Sequence, residues 1–149
     1  RQVPGGRRGQ DHDRLPMTFT PGAPIDEKKF GPVRADQLRA YAEASGDHNP
    51  IHLDEAVARQ NKLPGIIAHG MLSAAWIAET AESFLRSKGR AVKWISFQTR
   101  FKAMTLLGDE ITVSGNVKEC SGETLVIELQ ARNQRGEITT TGAARFSST

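Results

Sequence analysis

Residues 69–87 read HGMLSAAWIAETAESFLRS. Its apolar side chains recur at helical spacing and cover most of the circumference of a helix. A helix that is apolar nearly all round is buried rather than laid on a surface. Many of its residues are alanines, so another element can approach its backbone closely. The stretch therefore predicts a long central helix with other structure packed around it.

The sequence after this helix changes from a period of 3.6 to a period of 2. Four segments of alternating apolar residues follow, at positions 95–101, 111–117, 125–131 and 138–146. Turn signals at Ser121-Gly122 and Arg135-Gly136 separate the last three of them. Short turns between consecutive strands predict an antiparallel sheet with one apolar face. Because the long helix is the element available to cover that face, we predict an α+β fold, an antiparallel sheet wrapped around a long central helix.

Two shorter helices are predicted before the central one. Apolar residues recur at helical spacing through residues 35–45, and Gly46 follows where a left-handed residue ends a helix. Asp54 is placed to cap a second short helix over residues 55–61. The ten residues from Ser45 to Asp54 should therefore include a loop held between helices.

The bulk composition indicates one folded domain. The chain has 149 residues, of which 38% are hydrophobic and 25% charged, as in ordinary globular proteins. Residues 1–16 are rich in Gly, Pro, Arg and Asp and have almost no apolar periodicity. We expect them to be a flexible leader or a remnant of upstream sequence, with Met17 a natural start and residues 17–149 a single domain.

Charge and hydropathy exclude several classes of partner. The net charge is +3, but four arginines and two aspartates in the first sixteen residues leave about +1 for the remainder. No basic stripe is left, so a nucleic-acid partner is not expected. The longest apolar run is interrupted by Glu79 and Glu82, which argues against a membrane span. Cys120 is the single cysteine, which is compatible with the reducing cytoplasm, where we expect the protein to act.

The densest polar cluster is SGDHNPIHLD, residues 45–54. It contains Asp47 and His52, five positions apart, and the intervening Asn49-Pro50 can bend the chain so that both side chains reach one side. Hydration of a polarised double bond requires that a water lose a proton and that a carbon gain one. A carboxylate and an imidazole that share one water can do both near neutral pH.

A second cluster, PGIIAHGM at residues 64–71, runs directly into the central helix. Amides at a helix N-terminus are unpaired donors with partial positive charge. The N–H of Gly70 is a candidate donor to the carbonyl oxygen of a thioester, where negative charge develops during hydration. A glycine would also let the substrate approach the backbone.

Together these two clusters resemble the MaoC-like, (R)-specific enoyl-CoA hydratase family, and LGDE at residues 107–110 is similar to a further family motif. The resemblance spans about Phe30 to Phe146. It implies a hotdog fold, usually a dimer, and syn hydration of trans-2-enoyl thioesters to (R)-3-hydroxyacyl thioesters without a cofactor. The carrier would be CoA or acyl-carrier protein. It places the catalytic pair on Asp47 and His52 and the oxyanion amide on Gly70. Substrate-binding roles are predicted for Asn49, His69 and Met71.

Structural explanations compete with each of these roles. Asp47 would be a carboxylate that caps local amides, His52 a packed core histidine, and Asn49 a residue that shapes the loop. His69 would shape the oxyanion turn by hydrogen bonding, and Gly70 would serve only tight packing at the start of the helix. No metal site is predicted, since no helical His-x-x-x-His or cysteine cluster exists and thioester hydration needs no metal.

Two other functions remain open on the same fold. An acyl-CoA thioesterase would use the carboxylate to activate water against the thioester carbonyl. A non-catalytic hotdog subunit would instead pair with an active partner, although the intact Asp47 and His52 argue against it. The function that the motifs favour is reversible hydration by a homodimer.

Overall fold

The computed structural model describes residues 18–148, and its secondary structure follows the predicted order. The leader predicted for residues 1–16 lies outside the described residues. The elements are β1 (Lys28–Phe30), α1 (Ala35–Ser45), a 3₁₀ turn (Pro50–His52), α2 (Glu55–Gln60), α3 (Gly70–Ser87), β2 (Val92–Phe101), β3 (Ile111–Ser121), β4 (Thr124–Asn133) and β5 (Ile138–Ser148). The three predicted helices and four predicted strands are confirmed, and β1 is an additional short strand.

The five strands form one antiparallel sheet in the order β1-β3-β4-β5-β2. Helix α3 lies across its inner face and contacts β2, β3, β4 and β5. A Cβ added to Gly142 of β5 would lie 2.8 Å from Cγ2 of Ile77, so the absence of a side chain there lets the sheet approach the helix closely. The predicted sheet around a central helix is confirmed.

The core is built from α3 and the inward residues of the strands. Buried positions of α3 include Leu72, Trp76, Ile77, Ala81, Phe84 and Leu85, and the strands add residues such as Val113, Ile127 and Phe146. The helix is not buried all round, however, because Ala75 is exposed and Met71 is 60% exposed. Both lie on the part of α3 that the sheet does not cover.

The alternation predicted for β2 is broken by a β-bulge. The register of β2 against β5 shifts between Trp94 and Ser96, so Trp94 and Phe97 both pack against the core. Ile95, which we predicted on the apolar face, is instead about half exposed. An extra residue at a bulge changes the side to which the following side chains point, which a strict period of 2 does not anticipate.

Candidate active site

The loop that carries the candidate catalytic residues is shaped by short-range hydrogen bonds. Gly46 ends α1 with a positive φ of 77°, a conformation that costs glycine little. The Oδ1 of Asn49 accepts from the N–H of Ile51 at 3.3 Å and begins the 3₁₀ turn. Asp54 caps α2 by accepting from the N–H groups of Ala56 and Val57, as predicted. The turn folds back toward Asp47 and carries His52 inward.

His52 is buried and held in one tautomer. Its Nδ1 lies 2.7 Å from the carbonyl oxygen of Ile67. A carbonyl can only accept, so Nδ1 carries the proton and Nε2 presents a lone pair. That Nε2 lies 3.9 Å from Oδ2 of Asp47. The ring is therefore oriented toward the carboxylate without contacting it directly.

The two carboxylate oxygens of Asp47 have different neighbours, one in its own loop and one in the site. Oδ1 accepts from the N–H of Asn49 at 3.2 Å, which ties the carboxylate to its own loop. Oδ2 faces His52, and the side chain is about half exposed. A separation of 3.9 Å accommodates a water that makes a hydrogen bond of about 2.8 Å to each group at an angle of about 90°. The predicted pair of Asp47 and His52 is thus brought together with room for one water.

His69 is the most buried side chain of the cluster, at 1% exposure. Its Nε2 donates to the carbonyl oxygen of Asp47 at 3.0 Å, and its ring stacks on that of His52 with centroids 4.0 Å apart. Burial lowers the pKa of His69, the neighbouring His52 lowers it further, and the bond to Asp47 opposes both. The lowered pKa favours the neutral form of His69 at neutral pH. Its ring holds Asp47 through the backbone, while Nδ1 is buried without a hydrogen-bond partner.

The predicted oxyanion residue, Gly70, is the first residue of α3. Amides of a first helical turn have no acceptor within the helix, so its N–H is available to a ligand. The sequence suggested that a glycine lets the substrate approach, but the structure shows an aromatic neighbour there. A Cβ at Gly70 would lie 3.2 Å from the Phe101 ring, so packing against Phe101 is an independent reason for the glycine.

Asn49 and Met71 lie less centrally than the other predicted site residues. Asn49 uses its side-chain oxygen to cap the 3₁₀ turn, which supports the loop-shaping alternative. Met71 is exposed at the start of α3, outside the cluster of Asp47, His52 and His69. The substrate-binding roles of Asn49 and Met71 stay predictions.

A divalent metal is the other occupant that this cluster suggests. Donor atoms of Asp47, His52 and His69 all lie within 4.8 Å of one another. However, Nδ1 of His52 and Nε2 of His69 are engaged with backbone carbonyls. The remaining nitrogens belong to stacked rings whose planes are 29° apart, whereas a shared ion needs both lone pairs directed at one point about 2.0–2.1 Å away. The geometry suits a shared water better than a shared ion.

Three contacts of the site were missed from the sequence. Tyr41 packs its ring 4.8 Å from that of His69, and Phe101 lies against Gly70. The buried carboxylate of Asp109 forms an ion pair with the half-exposed Arg135, beside the turn that bonds to residues 66–68. Their signals in the sequence were an aromatic residue on α1 and the LGDE motif, but nothing in the spacing shows what these side chains touch.

A family model described as a MaoC like domain matches residues 17–138. The chain belongs to the MaoC-like family. Among its relatives, the (R)-specific enoyl-CoA hydratase of Aeromonas caviae is 32% identical over 119 residues, which cover 78% of this chain and 85% of that protein. Fatty acid synthase 2 of Mycosarcoma maydis is 35% identical over 111 residues, which cover 71% of this chain but only 3% of the synthase.

Solved structures agree with this assignment. The (R)-hydratase structure from A. caviae superposes with a TM-score of 0.70 at 25% identity, over 84% of this chain and 96% of that chain. The predicted MaoC-like family and hotdog fold are therefore confirmed. Within residues 18–148, no helix has both the length and the hydropathy needed to cross a bilayer.

Proposed function

We propose that this MaoC-like protein is a hydro-lyase that reversibly hydrates a trans-2-enoyl thioester to an (R)-3-hydroxyacyl thioester. The observation that carries the proposal is the gap of 3.9 Å between Oδ2 of Asp47 and Nε2 of His52, which suits one shared water. The relatives named as hydratases support the same reaction class. The substrate carrier is CoA or acyl-carrier protein, and the assembly is a homodimer.

The proposed mechanism uses Oδ2 of Asp47, Nε2 of His52 and the N–H of Gly70. The water between Asp47 and His52 gives up a proton to one of them while its oxygen attacks the β-carbon of the enoyl group. The electrons of the double bond move toward the thioester carbonyl, whose oxygen gains negative charge. The N–H of Gly70, at the positive end of α3, donates to that oxygen. A proton from the pair then reaches the α-carbon, and because both groups lie on one side, water adds in the syn sense.

Hydration of crotonyl-CoA by the purified protein tests the proposal. We expect the enoyl absorbance to decrease as 3-hydroxybutyryl-CoA forms, and chiral analysis to give the (R) product. Release of free thiol, followed in parallel, measures the competing thioesterase reaction. Thiol release without loss of the enoyl group would replace hydration by thioester hydrolysis, and no reaction with either CoA or carrier-protein substrates would favour the non-catalytic subunit.

A further inference from the structure

The motif Leu107-Gly108-Asp109-Glu110 has no part in the proposed chemistry, yet its residue Asp109 is buried and extensively hydrogen-bonded. Its side chain is almost fully buried, and its oxygens accept four hydrogen bonds. Arg135 donates two of them at 2.6 and 3.0 Å, Gln134 donates one at 3.0 Å, and the N–H of Leu106 donates one at 2.9 Å. These bonds to one carboxylate fix the position of the turn at residues 106–109.

Asp109 is held in its ionised form. Burial by itself raises the pKa of the carboxyl group, but the bonds from Arg135, Leu106 and Gln134 outweigh it and bring the pKa below its ordinary value. Hydrogen bonds to an ionised group are stronger than those between neutral groups. The turn from Leu106 to Asp109, which the N–H of Asp109 also closes onto the Leu106 carbonyl at 3.0 Å, is therefore rigidly fixed.

The fixed turn supports a second segment, residues 66–68, which leads into α3. Leu106 forms an isolated antiparallel bridge with Ile67. On either side of it, the N–H of Leu107 donates to the Ile66 carbonyl at 3.0 Å, and the N–H of Ala68 donates to the Thr105 carbonyl at 2.8 Å. Three consecutive residues of the second segment are thus positioned by the turn that Asp109 closes.

On its other side, the segment of residues 66–68 is hydrogen-bonded to Ile51 and His52. The N–H of Ile67 donates to the carbonyl of Ile51 at 3.4 Å, and the carbonyl of Ile67 accepts from Nδ1 of His52 at 2.7 Å. Displacement of Ile67 would weaken the bond that keeps the proton on Nδ1 and the lone pair on Nε2. The position of one carbonyl oxygen therefore decides which nitrogen of His52 carries the proton, and so whether a lone pair or an N–H faces Asp47.

We propose that Asp109, with Arg135, is a positioning residue for His52. It fixes the turn at residues 106–109, the turn fixes the carbonyl of Ile67, and that carbonyl selects the tautomer of His52 that presents Nε2 to the water. The catalytic importance of this arrangement rests on the proposed hydratase function, whereas its effect on the tautomer does not. The motif thereby acts on the site without touching substrate.

The imidazole ¹⁵N spectrum of the protein tests this directly, with His52 assigned by its loss in His52→Gln. We expect the parent to show a single tautomer with the proton on Nδ1. Asp109→Asn, which keeps the shape but removes the charge, should show a mixture of the two tautomers. Its kcat should fall by about tenfold to a hundredfold with KM unchanged, since small displacements of a catalytic group have effects of this order.

Arg135→Gln and Arg135→Lys carry the test if Asp109→Asn does not fold, because Arg135 lies at the surface. We expect an intermediate tautomer mixture for Arg135→Gln and partial recovery in Arg135→Lys, which keeps the charge. Lys118→Gln, which removes the exposed ion pair to Glu128 on β4, is the matched control and should leave both readouts at parent values. A variant of Asp109 or Arg135 with lowered stability but the parent tautomer would overturn the proposal. If the parent lacks hydratase activity, the spectra still decide the positioning role.

Discussion

The two histidines of the site use opposite ring nitrogens to contact the backbone. Nδ1 of His52 donates to the carbonyl of Ile67 and its Nε2 faces Asp47, whereas Nε2 of His69 donates to the carbonyl of Asp47. A buried acceptor that lacks a partner, such as Nδ1 of His69, typically costs about 1–3 kcal/mol. Its burial and its bond to the carbonyl of Asp47 favour a supporting role for His69. The free Nε2 beside Asp47 makes His52 the histidine that we expect to exchange protons.

We expect Asp47→Asn and His52→Gln each to lower the turnover of crotonyl-CoA by about a hundredfold or more, because general acid–base groups typically contribute 10²- to 10⁴-fold. Both variants nearly preserve side-chain volume, so their melting temperatures should stay close to that of the parent. Asp26→Asn and His48→Gln, at exposed positions outside the pair, are the matched controls. Near-parent turnover in both site variants would remove Asp47 and His52 from the mechanism.

The pKa of His69 predicts how stability depends on pH. Its pKa is lowered in the folded protein from an ordinary value of 6.5, so below pH 6.5 the unfolded chain binds this proton first. Stability must then decrease as the pH is lowered from 6.5 through the folded pKa, and must be fully regained above 6.5. We expect His69→Gln to lose less of its melting temperature than the parent between pH 7.5 and pH 5. His48→Gln removes an exposed histidine that makes only a small contribution to the lowered pKa of His69, so its profile should stay much closer to that of the parent. Identical pH profiles for His69→Gln and the parent would contradict this prediction.

Among the helices and strands, regular sequence patterns were predictable and irregular ones were not. The bounds of α1 and the cap of α2 follow from Gly46 and Asp54, because both residues have strong conformational reasons to end or begin a helix. The bulge at Ile95 leaves no such signal, since any residue can occupy it. Strand β1 has three residues and is held by pairing with β3, so its sequence is too short to show a period.

The same contrast applies to the site. The approach of Asp47 to His52 and the place of Gly70 at the start of α3 could be predicted, because the loop and the helix start are apparent in the local sequence. The catalytic roles of these three residues stay predictions. The stack of His52 on His69 and the brace from Asp109 could not, because both join residues far apart in sequence. Such contacts depend on how the loops pack together, which local spacing does not encode.

The start of α3 allows the oxyanion role of Gly70 to be tested by removing one N–H. Proline is favoured at the first position of a helix, and His69 has φ −57° and ψ 132°, the conformation preferred before proline. We expect Gly70→Pro to lower kcat by about 10²- to 10³-fold, as loss of one oxyanion donor typically does.

Gly70→Ala is the matched control for Gly70→Pro. It adds the same Cβ against the ring of Phe101 but retains the N–H. The ratio of the two kcat values therefore separates replacement of the N–H by the proline ring from the effect of the added Cβ, and melting temperatures verify that both variants fold. Equal activity of Gly70→Pro and Gly70→Ala would assign the glycine to packing alone.

A single chain leaves large apolar side chains exposed on β2 and at the start of α3. Met71 at the start of α3 and Ile95 and Phe101 on β2 are each at least half exposed. Strand β2 is also an outer strand of the sheet, paired on one side with β5, and it has ten residues. A long outer strand with exposed apolar side chains is a surface for pairing with another chain. The opposite outer strand, β1, has three residues and offers much less.

We therefore expect a two-fold dimer in which β2 faces β2 of a second copy, since antiparallel pairing of identical strands is compatible with a two-fold axis. Light scattering after gel filtration should give twice the 16.3 kDa of one chain at micromolar concentration. Ile95→Lys should shift the protein toward monomer, because it places a charge where the second copy packs. Leu107→Lys, at an exposed leucine in the loop after β2, should remain dimeric. A parent that elutes as a monomer, or an Ile95→Lys variant as dimeric as Leu107→Lys, would show that β2 is not the contact.

Since Phe101 of β2 lies against Gly70, weakening of the dimer should also lower hydratase activity. Activity measured across the concentration range in which the dimer dissociates tests whether the site needs the second chain.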